Sequence, residues 1–267
     1  MLKNKIQIVL TVIFLGLLGW WFSYQSMVAT QGLSPQWFSG TYGVLAFIGA
    51  IIGFIAAKKW GGLKSVLGKA LTFFALGLLA QEAGQLIYQY YIYVQKIDIP
   101  YPSYGDIAYF GSVLLYITAA YYLLKASGVK YSLKGTGSKV IAILVPVVMV
   151  TVSFFVLLHG HQYDTSQPIT VFLDFGYPMG QAVYISLAIT AFLLSRKMLG
   201  GILKTGMELI IIALVAQYVA DFSFIYESSR DAYVTGAWVD LLYMISYFLM
   251  ASALLSFIRI YKKLGQK

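Results

Sequence analysis

The chain reads as an all-α integral membrane protein of about eight transmembrane helices. It is built as two parallel four-helix repeats with pseudo-twofold symmetry along the membrane normal. Three observations predict this fold class. Of 267 residues, 60% are hydrophobic and 11% charged, at a mean hydropathy of +0.77, whereas a soluble domain carries roughly 25% charged residues. The apolar residues gather into eight runs, each close to the ~20 residues a helix needs to cross a hydrocarbon core. The two halves also read as copies, residues 1–130 as a first repeat and 131–267 as a second, together one membrane domain.

The runs predict helices at 5–26, 37–57, 68–93, 106–125, 138–159, 170–195, 204–226 and 238–258. The first follows Met1-Leu2-Lys3-Asn4-Lys5 in the manner of a signal peptide. It ends in Trp20, Trp21 and Phe22 without a small-x-small cleavage site, so a retained helix is expected. The second is followed by Lys58-Lys59-Trp60-Gly61-Gly62, and the sixth by Arg196-Lys197-Met198-Leu199-Gly200-Gly201. The third and seventh share an Ala-Gln with an amide or acid four residues on: Gln81 and Gln85 against Gln217 and Asp221. The fourth and eighth share an opening Asp-x-x-Tyr, Asp106/Tyr109 and Asp240/Tyr243, and the sixth carries a third copy, Asp174/Tyr177. Pro146 and Pro178 predict kinks in the fifth and sixth helices that the first half lacks.

Charge placement predicts orientation. With both termini in the cytoplasm, 17 of the 19 basic residues fall on the inner side, leaving Lys96 and Arg230 outside. This is the positive-inside asymmetry, so the net charge of +9 answers to membrane insertion and anionic lipid rather than to nucleic acid. Asp98, Asp106, Asp164, Asp174, Glu227, Asp231 and Asp240 fall on the outer side. Trp20, Trp21, Trp37, Tyr93, Tyr101, Tyr104, Tyr226 and Trp238 read as an outer interfacial belt.

Candidate functional residues lie along the third and seventh helices. Gln81, Gln85 and Gln89 repeat every four residues and share one face, with Glu82 at its edge; Gln217 and Asp221 keep the same spacing. An ionisable group at the bilayer centre costs about 2.5–3.5 kcal/mol on insertion scales, so these side chains are expected to face the bundle interior. There they form either a polar site for a ligand or protons, or a hydrogen-bond network that joins the halves. The Asp-x-x-Tyr aspartates are expected at helix N-termini, where they cap free N–H groups. Alternatively Asp106, Tyr109, Asp174, Tyr177, Asp240 and Tyr243 rim an outward-facing cavity continued inward by Tyr116 and Tyr247. An acidic rim with tyrosine walls suits a cationic or aromatic small molecule. His159, His161 and Asp164 are weak metal candidates, because the spacing matches no recognised signature and no third strong ligand is evident.

The absences narrow the classes. Cysteine is missing, which excludes disulfides, thiolate metal sites and cysteine nucleophiles. No Lys is placed for a retinal Schiff base and no mid-span His pair for haem, and Walker, His-Glu-x-x-His and Gly-x-Ser-x-Gly motifs do not occur. Neither a cofactor nor enzyme activity is expected.

Pro100-Tyr101-Pro102-Ser103-Tyr104-Gly105-Asp106-Ile107-Ala108-Tyr109 resembles the P-x-P-S-x-x-D-x-x-Y signature of uncharacterised multi-helix membrane sensor regions. In bacteria and archaea these precede diguanylate cyclase, PAS or histidine kinase modules. Tyr233-Val234-Thr235-Gly236-Ala237-Trp238-Val239-Asp240 is similar to the same family's later Y-x-x-G-x-x-x-D element. The resemblance covers the third, fourth, seventh and eighth helices and implies a sensory input region. No output domain follows the eighth helix here, so a separate signalling or complex partner is expected. The leading expectation is a sensor-like protein of the cell membrane that binds a ligand or partner. The alternatives are a small-solute transporter coupled to protonation of Glu82 or Asp221, and a structural subunit of a larger membrane complex.

Overall fold

A computed structural model describes residues 2–31, 36–127, 135–160, 164–195, 203–230 and 232–265. Eight long helices dominate: α1 (Leu2–Gln31), α2 (Val44–Lys59), α3 (Val66–Gln89), α4 (Tyr104–Ala126), α5 (Thr136–Ser153), α6 (Pro168–Ser195), α7 (Lys204–Ser228) and α8 (Trp238–Leu264). No strand occurs among the described residues. Each of the eight, taken with its flanking turn, is long and apolar enough to cross a membrane.

Local signals start and stop these helices. The Ser65 hydroxyl caps α3 by accepting the Gly68 N–H at 2.8 Å, just after Gly61 turns the chain at φ 90°. Ser103 and Asp106 form a capping box at the start of α4. α2 and α8 end in lysine pairs, Lys58-Lys59 and Lys262-Lys263, which suit the negative end of the helix dipole. Two helices end in a π turn, α3 over Tyr90–Gln95 and α5 over Phe154–Leu158. α8 runs past its expected end at 258 because Ile258 and Ile260 remain buried in the core.

Side-chain pairings establish which helices run alongside one another. Six helices close a ring in the order α2, α3, α4, α6, α7, α8 and back to α2. α1 packs outside the ring on α8, and α5 outside on α6. Along α5 Ser153 is the buried residue. Close approach within the ring needs small residues. A Cβ on Gly53 of α2 would stand 2.8 Å from that of Ala75 on α3, and one on Gly176 of α6 would meet the Phe110 ring of α4 at 2.8 Å. Among the described residues, the ends of α2, α4 and α8 and the start of α3 lie together, where Trp60 donates to the Phe257 carbonyl and Lys69 stands over the Tyr122 ring, and Asp106 and Asp240 open α4 and α8 at the opposite end; these are here termed the basic and acidic ends.

The third Asp-x-x-Tyr does not open a helix. α6 begins at Pro168, a residue suited to a first helical turn, so Asp174 and Tyr177 lie about two turns inside it. Pro178 is also internal to α6 and Pro146 to α5.

Candidate functional site

The ring encloses a cavity of about 630 Å³ that is lined from both halves of the chain. Gln167 and Thr170 at the start of α6, Pro100 and Tyr101 before α4, and Ser228 at the end of α7 stand around it at the acidic end. Deeper lining residues include Gln81, Val113, Gln181, Asp221 and Tyr247. Beyond them towards the basic end the core closes over Phe74, Leu78, Tyr116, Leu214 and Met250, none more than 2% exposed.

Three buried aspartates hold the walls together. Asp106 accepts the Ser103 N–H at 2.7 Å and the Ser103 hydroxyl at 2.9 Å on one oxygen. Its other oxygen accepts the Tyr177 hydroxyl of α6 at 3.0 Å and that of Tyr88 at 3.5 Å. Asp240 accepts the Gly236 N–H at 2.6 Å, the Tyr233 hydroxyl at 2.9 Å and the Tyr42 hydroxyl at 3.3 Å. Asp221 accepts the Tyr184 hydroxyl at 3.0 Å and Gln217 Nε2 at 2.9 Å. Asp106 and Asp240 therefore serve a capping role and a wall-lining role together.

The glutamine stripe of α3 faces this cavity. Gln81 donates to Ser112 Oγ of α4 at 2.8 Å and accepts the Tyr247 hydroxyl of α8 at 3.0 Å. Gln85 accepts the Tyr109 hydroxyl at 3.1 Å and donates to the Ser39 carbonyl. Gln89 donates to the Gly40 carbonyl at 2.6 Å. In the other half, Gln217 accepts the Ser246 hydroxyl of α8 at 2.7 Å. Ser112 in turn donates to the Tyr109 carbonyl at 2.6 Å, and the single Ser246 O–H is shared between Gln217 Oε1 and the Tyr243 carbonyl at 3.0 Å.

Several expected site residues lie elsewhere. Glu82 is not on the cavity wall: one residue on from Gln81 it turns by about 100° towards Gly43, just ahead of α2, where a Cβ would sit 2.1 Å from its Oε2. Glu82 and Asp221 therefore share no site. Gln217 is fully buried beside the cavity rather than on its wall. Tyr116 is no part of the rim; it is fully buried, its ring against Gly77 and edge-on to Tyr184 at 6.0 Å. Asp174 does line the cavity and accepts the Tyr101 hydroxyl at 2.7 Å. Burial, with that bond second, raises the Tyr101 pKa and keeps the phenol a donor.

Of the histidine cluster, the structure describes His159 and Asp164. His159 packs against the Phe155 ring at 5.8 Å, and His161 lies outside the described residues. Asp164 accepts the Ser166 hydroxyl and N–H at 2.6 and 3.0 Å and Gln167 Nε2 at 3.1 Å. These bonds hold its carboxyl below the ordinary range. Among the described residues, no group of three or more His, Cys, Asp or Glu is placed to hold a metal.

Sequence reasoning passed over Gln181, Tyr42, Tyr184 and Tyr233. Gln181 was legible in principle: four residues after Tyr177 and seven after Asp174, it shares their face of α6. It is 3% exposed and lines the cavity. Of the chain's ten acids, Asp106, Asp164, Asp174, Asp221 and Asp240 line the cavity, and no Lys, Arg or His does so among the described residues. The arrangement can therefore receive positive charge and hydrogen-bond donors. Comparison of the chain with family models, with curated proteins and with solved structures finds no match.

Proposed function

We propose that this is a non-enzymatic, multi-pass protein of the cell membrane that binds a small molecule in an outward-facing cavity between two repeats. Both termini are cytoplasmic, and occupancy is passed in sensor fashion to a separate partner. The observation that carries the reading is the cavity itself: about 630 Å³, lined from α3, α4, α6, α7 and α8 and from the turn ahead of α2, with five carboxylates and no basic residue among the described lining. Its size is that of small-molecule sites, which run ~300–1,000 Å³. The packed layer at Phe74, Tyr116 and Met250 supports a closed binding site.

The two-repeat reading is supported by matched pairings. In the ring, α2 beside α3 and α3 beside α4 correspond to α6 beside α7 and α7 beside α8. Gln81 with Ser112 corresponds to Gln217 with Ser246. The second reading, solute transport coupled to protonation of an intramembrane acid, is favoured by the place of Asp221 in the cavity wall next to its neutral partners.

Because the chain has no cysteine, one introduced thiol reports one position. Ser228→Cys is expected to react with an impermeant maleimide in intact cells, and Lys64→Cys only after permeabilisation; the reverse pattern overturns the orientation. Native mass spectrometry of the purified protein is expected to show a bound small molecule that is lost in Asp221→Asn. Flux of that molecule into proteoliposomes, abolished by the same substitution, would decide for transport.

A further inference from the structure

We infer that the cavity's ligand is a protonated amine that retains N–H groups, a primary or secondary ammonium on an apolar or aromatic body, whose N–H donors are taken by Gln181 Oε1 and Asp221. The inference rests on the ligand-binding reading and names the ligand's class.

Sign comes first. Five carboxylates and no basic side chain among the described lining residues surround a space walled by protein, an arrangement that concentrates cations and repels anions. The tyrosine faces along the walls, Tyr109, Tyr177, Tyr243 and Tyr247 among them, add attraction for a cation and surface for an aromatic body.

The hydrogen-bond inventory then separates amines from other cations. A carboxylate accepts at about four sites. Asp106 already receives four donors, two from Ser103 and one each from Tyr177 and Tyr88. Asp240 receives three, from Gly236, Tyr233 and Tyr42, and Asp164 receives three, two from Ser166 and one from Gln167. Asp221 receives two, from Tyr184 and Gln217, which leaves it two acceptor sites.

Gln181 supplies the second, independent observation. It is 3% exposed, it lines the cavity, and its Oε1 has no hydrogen-bond partner among the described residues. A buried acceptor of this kind calls for a donor. It stands one turn of α6 from Tyr184, the residue whose hydroxyl holds Asp221. An ammonium N–H meets both needs. A quaternary ammonium brings charge and no donor, an alcohol brings a donor and no charge, and a bare metal ion finds no group of three or more His, Cys, Asp or Glu placed to hold it among the described residues.

The test uses the full chain in lipid nanodiscs at pH 7 with four probes on one scaffold: 2-phenylethylammonium, its N,N,N-trimethyl analogue, 2-phenylethanol and 3-phenylpropionate. The primary ammonium is expected to raise Tm in a dose-dependent way and to bind about tenfold or more tightly than the trimethyl analogue, as a site built around a donor discriminates. The alcohol and the carboxylate are expected to leave Tm unmoved. In Gln181→Leu, whose unliganded Tm checks its fold, that preference is expected to fall to within about twofold. Equal binding of both ammonium probes, or a preference unchanged in Gln181→Leu, overturns the N–H assignment, and tighter binding of the carboxylate overturns the charge. If no probe shifts Tm while a small impermeant thiosulfonate still labels Ile225→Cys on the cavity wall, the amine proposal falls and the cavity reading stands. If that reagent also fails to react, the binding reading falls as well.

Discussion

Tyr247 on α8 donates a 3.0 Å hydrogen bond to Gln81 on α3, and through Gln81 Nε2 is tied to Ser112 on α4. Both partners are buried, and 166 residues separate them in the chain. This bond joins the halves directly across the cavity wall. Tyr247→Phe removes the donor and leaves Gln81 Oε1 unsatisfied. Cross-helix bonds in a membrane bundle average ~0.6 kcal/mol and reach ~1.7. A double-mutant cycle of Tyr247→Phe with Gln81→Leu, read by reversible unfolding in mixed micelles, is expected to give a coupling energy in that range. Additivity of the two substitutions would show the bond to be energetically idle.

The Gly77–Tyr116 contact predicts an intolerant glycine. A Cβ on Gly77 would stand 2.4 Å from the Tyr116 ring, which is fully buried and cannot swing clear. Gly77→Ala is therefore expected to cost about 1–3 kcal/mol through overpacking. Gly111, with nothing within 4 Å of a built Cβ, is the matched control: Gly111→Ala is expected to be neutral or slightly stabilising, because alanine favours the helix by about 1 kcal/mol. Retained fraction folded after heating in detergent separates the two. A larger loss at Gly111 than at Gly77 would contradict the packing described for α3 and α4.

These relationships also mark how much was legible beforehand. The eight spans stand in the apolar run lengths, and the common face of Gln81, Gln85 and Gln89 follows from a four-residue repeat on a helix of 3.6 residues per turn. What failed was finer than that period. Glu82 stands at the edge of that stripe by spacing, yet the ~100° turn of one residue from Gln81 carries it off the cavity wall towards Gly43. Tyr116 was read as a continuation of the rim, but depth along a helix is invisible without knowing where the facing glycine, Gly77, lets its ring sink in. Asp174 was read as a helix opener because apolar periodicity did not reveal that Pro168 starts α6 earlier. Gln181 was passed over as a lone amide in an apolar run; its meaning comes from what the other ring helices bring opposite it.

Acid sensitivity at the acidic end should be set by Asp164. Its carboxylate accepts two bonds from Ser166 and one from Gln167, which lower its pKa from the ordinary 3.8. For a depressed acid the stabilisation is complete above the ordinary value and is lost as pH falls through the lowered one. The turn entering α6 is therefore expected to be unchanged from pH 7 to 5. The Ser166 amide NMR shift is expected to titrate with a midpoint below 3.8. In Asp164→Asn that titration should vanish; a midpoint above 3.8 would mean that these bonds do not form in solution.

The separation of Glu82 from Asp221 gives the sharpest discrimination between binding and proton-coupled transport. Asp221 lines the cavity and is held by Tyr184 and Gln217, whereas Glu82 faces Gly43 outside it. In the binding reading, Asp221→Asn removes charge and an acceptor from the site and is expected to weaken an ammonium probe by about tenfold or more, the scale of a lost charge-assisted hydrogen bond. Glu82→Gln keeps shape and removes a charge that the ligand never meets, so affinity should stay within about twofold. Its effect should appear instead at Gly43: Gly43→Ala drives a methyl group into Glu82 Oε2, and pairing it with Glu82→Ala should recover most of the lost stability. Equal losses of binding in Asp221→Asn and Glu82→Gln would place both acids on one functional path and favour a proton-coupled carrier.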